Sequence, residues 1–232
     1  MVVRQPGGPW IGQRCSVTLL APTVALTAGH CVVNNRNLGN ELGVTFERVV
    51  DLASPSIITA TGFEHPHFVQ GAFRFALNEY DVGILLLNEP VTHVPPAALP
   101  RLGDLALAAV NEANDVLVTV GYGRADLNAP LSAGVRRFTT MDIVELTEHK
   151  LIVTSIDGGR SCLGDSGSPY SHALDRPLGN GEGHRYLKKV LATFYSSYPV
   201  GGVETTCTEV QQGWRLDEAT TLAWVSSFLT AP

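Results

Sequence analysis

Gly164-Asp165-Ser166-Gly167-Ser168-Pro169 is the stretch that decides how this 232-residue chain is read. A serine set among glycines, after an aspartate and just downstream of Cys162, can present its hydroxyl beside unhindered backbone N–H groups. Nucleophilic acyl transfer needs that combination: an oxygen to attack, and donors for the oxyanion that develops. Gly, Asp and Ser also favour turns, so the hexapeptide alone fits either a surface turn or an active site. Its surroundings separate the two.

A serine hydroxyl is a weak nucleophile at neutral pH and needs a base, most often imidazole. Of the seven histidines, His30 stands out. It follows Leu26-Thr27-Ala28-Gly29 at the end of an expected strand and precedes Cys31. A bridged Cys31 would hold the imidazole on a stapled strand end. His65, His67, His93, His149, His172 and His184 lie in Pro-rich, charged or Gly-rich settings, where a structural or surface role is the plainer reading. The imidazole in turn needs a carboxylate to fix its tautomer. Asp81 stands between Asn78-Glu79-Tyr80 and the apolar run Val82-Gly83-Ile84-Leu85-Leu86-Leu87. An acid entering a buried strand must be paired or hydrogen-bonded; the alternative is a turn cap.

Around these residues the texture is short β-like runs broken by Gly, Pro and Asn. Candidate strands are Ser16 to Leu20, Val24 to Thr27, Gly43 to Val50, Ser56 to Thr61 and Val82 to Leu87, then Asp115 to Val120, Val135 to Ile143, Lys150 to Ile156 and Lys189 to Phe194. Many short strands with regular turn signals predict an all-β sandwich or barrel architecture. Glu89 to Asn114, with Pro90, Pro95, Pro96 and Pro100, reads as a connector between two β units. Asp217 to Leu229 has helical apolar spacing, with Asp217 as its N-cap. Asp175 to Gly183 reads as a long hairpin loop.

Hydrophobic residues make up 44% of the chain and charged residues 16%, which supports a substantial core. The net charge of −6 argues against nucleic-acid and anionic-membrane partners. No apolar window approaches the length of a membrane span. The start, Met1 to Gly8, lacks the apolar segment of a secretory signal, which implies either a removed signal or a protein never exported. Cysteine usage favours export. Four cysteines permit three full pairings; the spacing suggests Cys15–Cys31 and Cys162–Cys207, the alternative being four free buried thiols. No metal-type Cys/His spacing is present.

Three segments together resemble the chymotrypsin-like (trypsin-like) serine proteases. Leu26-Thr27-Ala28-Gly29-His30-Cys31 is similar to that family's histidine motif in the form common among bacterial members. Tyr80-Asp81-Val82-Gly83-Ile84-Leu85-Leu86-Leu87 resembles its aspartate motif, and Gly164 to Pro169 its serine motif, with Ser168 where glycine is usual. The order His, Asp, Ser matches as well, whereas α/β-hydrolases run Ser, Asp/Glu, His and need Gly-x-Ser-x-Gly. Weaker echoes are Glu64-His65-Pro66-His67-Phe68, Glu89-Pro90-Val91, Leu99-Pro100 and Gly121-Tyr122-Gly123.

The resemblance implies two six-stranded antiparallel barrels and a C-terminal α-helix. Residues 1–104 would carry His30 and Asp81; residues 105–232 would carry Ser166 and a helix over 217–229. Ser166 would be the nucleophile, His30 the base and Asp81 its orienter, with the amides of Gly164 and Ser166 as the oxyanion hole. Cys15–Cys31 would flank the histidine and Cys162–Cys207 the P1 pocket. Arg160, six residues before Ser166, falls where trypsins carry an aspartate, so the P1 preference is not trypsin-like. A buried guanidinium there would favour an acidic P1 residue; one pointing to solvent or paired to a nearby carboxylate would leave an apolar or small-residue pocket. Phe194, Tyr195 and Ser196 align with the substrate-side strand, followed by an insertion from Ser197 to Thr206. Asp165 falls where many members pair a freed N-terminal amine, and Val2-Val3 superficially resembles such an end. The implied activity is that of a secreted, monomeric endopeptidase with protein or peptide substrates, protein protease inhibitors as further partners, and no metal or organic cofactor. The alternatives are a catalytically inactive homologue serving as a binding scaffold, and an esterase.

Overall fold

The structure, a computed structural model, describes residues 1–71, 78–110, 116–126, 128–129, 132–173, 187–197 and 207–230. The expected loop Asp175 to Gly183, His184 and the insertion beyond Ser197 lie outside the described residues.

The first half is antiparallel sheet. Its strands are β1 (Val2–Arg4), β2 (Gly12–Gln13), β3 (Thr18–Ala21), β4 (Val24–Thr27), β5 (Glu41–Val44), β6 (Ile58–Glu64) and β7 (Gly83–Leu87), with helix α1 (Gly29–Asn37) inserted after β4. They form a seven-stranded sheet in the order β2-β1-β5-β6-β7-β4-β3, rather than the six strands expected. The extra strands come from the first residues, which are too short to announce themselves by alternation. Val2-Val3 is therefore sheet, paired with Gly12–Gln13 on one side and with Leu42 and Gly43 on the other.

The second half closes on itself. After a short helix, α2 (Asp104–Val110), come β8 (Leu117–Gly121), β9 (Arg137–Leu146), β10 (Lys150–Ser155), β11 (Pro169–Ala173), β12 (Leu187–Ser197) and β13 (Val210–Arg215), joined as a closed barrel in the order β10-β13-β12-β11-β8-β9. Closure leaves no free strand edge. Leu117, Met141, Leu151, Val153, Tyr170 and Leu191 fill its interior. The architecture is all-β with a C-terminal helix, consistent with a chymotrypsin-like double barrel.

That helix, α3 (Ala219–Ser227), is capped by Glu218, whose side chain accepts from the amides of Thr220 and Thr221. The sequence placed the cap at Asp217. Asp217 is otherwise engaged: fully buried, it accepts a bidentate pair from Arg215 at 2.8 and 2.9 Å and the amide of Leu105 at 2.9 Å. Helix α3 docks through rings. Trp224 meets His65 edge-on at 5.0 Å, and His65 stacks on Tyr80 at 4.7 Å. Trp214 of β13 lies 4.9 Å from Tyr80 and donates through Nε1 to Thr221 Oγ1. Burial, then the neighbouring His67, holds the pKa of His65 below the usual imidazole value. No helix among the described residues is long and apolar enough to cross a membrane.

Candidate active site

His30 opens α1 instead of ending β4. Ala28 is the N-cap and offers no side-chain cap; its carbonyl takes the Cys31 amide at 3.2 Å, which leaves the His30 amide to find an acceptor elsewhere. Asp81, fifty-one residues away, takes that place: its Oδ1 accepts the His30 amide at 2.8 Å. Its Oδ2 faces the His30 ring, 2.8 Å from Nδ1. Both side chains are almost wholly inaccessible, with Asp81 fully buried. This two-point contact fixes the ring and leaves Nε2 as the nitrogen on the other side.

The disulfide at Cys31 touches both the His30 ring and the backbone of Ser166. The cysteines pair as Cys15–Cys31 and Cys162–Cys207. Cys31 Sγ lies 3.7 Å from His30 Nε2 and 3.8 Å from the Ser166 carbonyl oxygen. That carbonyl accepts the amide of Ser16 at 2.7 Å, and Gly167 donates to the Phe194 carbonyl at 2.7 Å. Gly167 has φ +88°, and a Cβ there would run into the Ser16 carbonyl, so only glycine fits after Ser166. Among the described residues no acceptor takes the amide of Gly164 or of Ser166, while the Gly164 carbonyl is held by Gln13 Nε2 at 2.7 Å and Ser16 Oγ at 3.1 Å.

Asp165 anchors this loop from beneath. Its Oδ1 accepts the Gly123 amide at 2.7 Å and its Oδ2 the Cys162 amide at 2.9 Å. Burial raises its pKa to about 6, against the opposing pull of those amides and of the Arg137 charge. The glycines of Gly121-Tyr122-Gly123 leave room for this carboxylate: a Cβ on Gly123 would sit against both oxygens and Cγ, the farthest of the three at 2.7 Å. The amino group of Met1, whose pKa burial lowers to about 5, donates elsewhere, to the Cys15 carbonyl at 2.7 Å.

Arg160 is not buried. Its guanidinium is 57% exposed and pairs with Glu209 at 2.9 Å, the second of the two arrangements the sequence left open. The neighbouring Ser161 instead points inward and, with Tyr170, donates to Gln211 Oε1 at 2.7 and 2.9 Å. Among the described residues that orientation leaves Gln211 Nε2 buried without an acceptor. Phe194 is buried beside Tyr170, and a register shift separates it from Ser196 in the pairing with β13; the side chains of Tyr195 and Ser196 lie outside the described residues. Sequence reading missed Ser16, Gln13, Gln211 and Asn78. Of these only Asn78 carried a signal, a polar side chain three residues before Asp81.

One cluster among the described residues gathers metal-ligand atom types, Cys15, His30 and Cys31, and both of its sulfurs are in the disulfide. A family model described as trypsin matches residues 1–176. Ovochymase of Halocynthia roretzi is 22% identical over 171 residues, a match covering 67% of this chain and 10% of that protein. The chain therefore spans about a tenth of the length of this relative.

Proposed function

Because the chain belongs to the trypsin family, of which its first 176 residues match the model, we propose that it is a secreted serine endopeptidase working through His30, Asp81 and Ser166. Ser166 Oγ attacks the scissile carbonyl while His30 Nε2 takes its proton. The amides of Gly164 and Ser166 receive the oxyanion. His30 then returns the proton to the leaving amine, and water, activated by the same imidazole, releases the acyl group from Ser166. Asp81 keeps the ring in the tautomer that carries its lone pair on Nε2 and stabilises the imidazolium. The observation that carries this reading is the two-point contact of Asp81 with the His30 amide and Nδ1, both at 2.8 Å in a buried setting.

The P1 preference we propose is not trypsin-like. An arginine stands where an aspartate would recognise Lys or Arg, and its pairing with Glu209 favours a neutral P1 residue over an acidic one. Paired cysteines support export, because such bridges persist in oxidising compartments.

The experiment is labelling with a serine-reactive phosphonate, followed by a P1 peptide library. Labelling that disappears in Ser166→Ala, with neutral P1 residues preferred, is the expected result. No labelling of the wild type would instead favour a binding scaffold. Ester hydrolysis without peptide cleavage would make it an esterase.

A further inference from the structure

A fully buried carboxylate needs donors on both oxygens, and Asp81 has one more than the imidazole and its own backbone contact supply. Asn78 Nδ2 donates to Asp81 Oδ2 at 2.5 Å, onto the same oxygen that faces the His30 ring. Asn78 is itself 0% exposed. Its Oδ1 accepts the Gly71 amide at 2.9 Å, which assigns the amide orientation and leaves Nδ2 as the group facing Asp81. The backbone is held too: Val69 and Glu79 exchange hydrogen bonds at 3.1 and 3.0 Å. Tyr80, at φ +49°, turns the chain in the left-handed region between Asn78 and Asp81.

We propose that Asn78 is a positioning residue of the triad, holding the Asp81 carboxylate in the plane that serves His30 and sharing its negative charge. The proposal rests on the triad reading above. A donor on Oδ2 stops the carboxylate rotating about Cβ–Cγ. It also withdraws electron density from the oxygen that stabilises the imidazolium, which keeps His30 free to give its proton up. The other titratable groups packed nearby are Glu79 and Tyr80 on the same segment, His65 stacked on Tyr80, and His149, 6.0 Å from Tyr80. Among the described residues none of these hydrogen-bonds Asp81.

The test uses Asn78→Ala and Asn78→Leu in the full chain, the second filling the vacated volume without a donor. Two quantities are read: kcat and KM on a peptide substrate, and the pH midpoint of the His30 imidazole by 15N NMR in a Ser166→Ala background. Loss of a hydrogen bond to a charged group predicts a kcat lower by about tenfold to a hundredfold, with KM within about twofold. The stripped carboxylate attracts the imidazolium more strongly, so the His30 midpoint rises by about half a unit or more. A merely structural role would lower the melting temperature and leave that midpoint in place. An unchanged midpoint, or an unchanged kcat, in whichever variant folds overturns the proposal. Failure of the protease reading shows separately, as a wild type that phosphonate does not label, because the NMR titration needs no turnover.

Discussion

Gly123→Ala adds one methyl group at a point where the structure has no space for it. All three carboxyl atoms of Asp165 lie within 2.7 Å of the position the new Cβ would take, whereas ordinary carbon contacts are about 3.5–4 Å. The carboxylate must retreat by about 1 Å. That takes the 2.7 Å bond from the Gly123 amide beyond hydrogen-bond range and pulls Oδ2 off the Cys162 amide as well. Each is a bond to a charged acceptor worth about 1.5–3 kcal/mol, so about 3–6 kcal/mol is at stake. For a chain of this size that is a melting temperature lower by at least about 6 °C. On the proposed mechanism the Gly164 amide is an oxyanion donor riding on the displaced loop, and loss of one such donor lowers turnover by about a hundredfold to a thousandfold. The assay is the rate of phosphonate labelling of Ser166 beside a thermal melt. Gly12→Ala, where an added Cβ meets nothing within 4 Å, is the control and changes neither. A Gly123→Ala protein that labels at the wild-type rate and melts within about 2 °C of it would refute the account of how Asp165 seats the loop.

Asp165 also sets a pH dependence. Burial raises its pKa from 3.8 in the free residue to about 6 in the fold, so its contribution to stability is fully present below about pH 4 and is lost as pH rises through 6. The loss is about 3 kcal/mol for a shift of about two units. Chemical denaturation of wild type and Asp165→Asn from pH 4 to pH 7 should show their difference in stability moving by about that amount, in favour of the variant at the higher pH; a constant difference contradicts the buried charge. Removing the Cys15–Cys31 bridge, which closes a separation of 16 residues, should lower stability by about 3 kcal/mol through the freed unfolded chain. A double Cys15→Ser, Cys31→Ser protein then melts about 6–12 °C lower, and an unchanged melt would mean that the bridge constrains little.

The strands were legible where short apolar runs bounded by turn residues coincide with hydrogen-bonded partners. Val24–Thr27 and the run over Gly83–Leu87 are such cases, buried centrally and bounded by Pro22 and Asn88. Helix α1 was not legible. Gly29 to Asn37 has a weak helical composition, two valines and three asparagines, and its cap is Asp81 rather than a neighbour in sequence. Local pattern cannot report an acceptor fifty-one residues away. The N-cap of α3 was misplaced by one residue for a related reason: Asp217 has the better capping side chain, but Arg215 and Leu105 occupy both of its oxygens. The three motifs around His30, Asp81 and Ser166 were readable because each combines a reactive side chain with the small residues that give it room. Asn78 gave no comparable sign. An asparagine before a strand is ordinary turn chemistry until the fold turns its amide onto Asp81.

Residue 16 ties the two ends of the chain's history together. Its amide meets the Ser166 carbonyl, its hydroxyl reaches the Gly164 carbonyl and accepts the Tyr122 amide, and its carbonyl takes the hydroxyl of Thr27. These partners lie up to 150 residues from it, so one serine before the third strand braces the loop around Ser166, and no local segment of the chain can shape that loop alone.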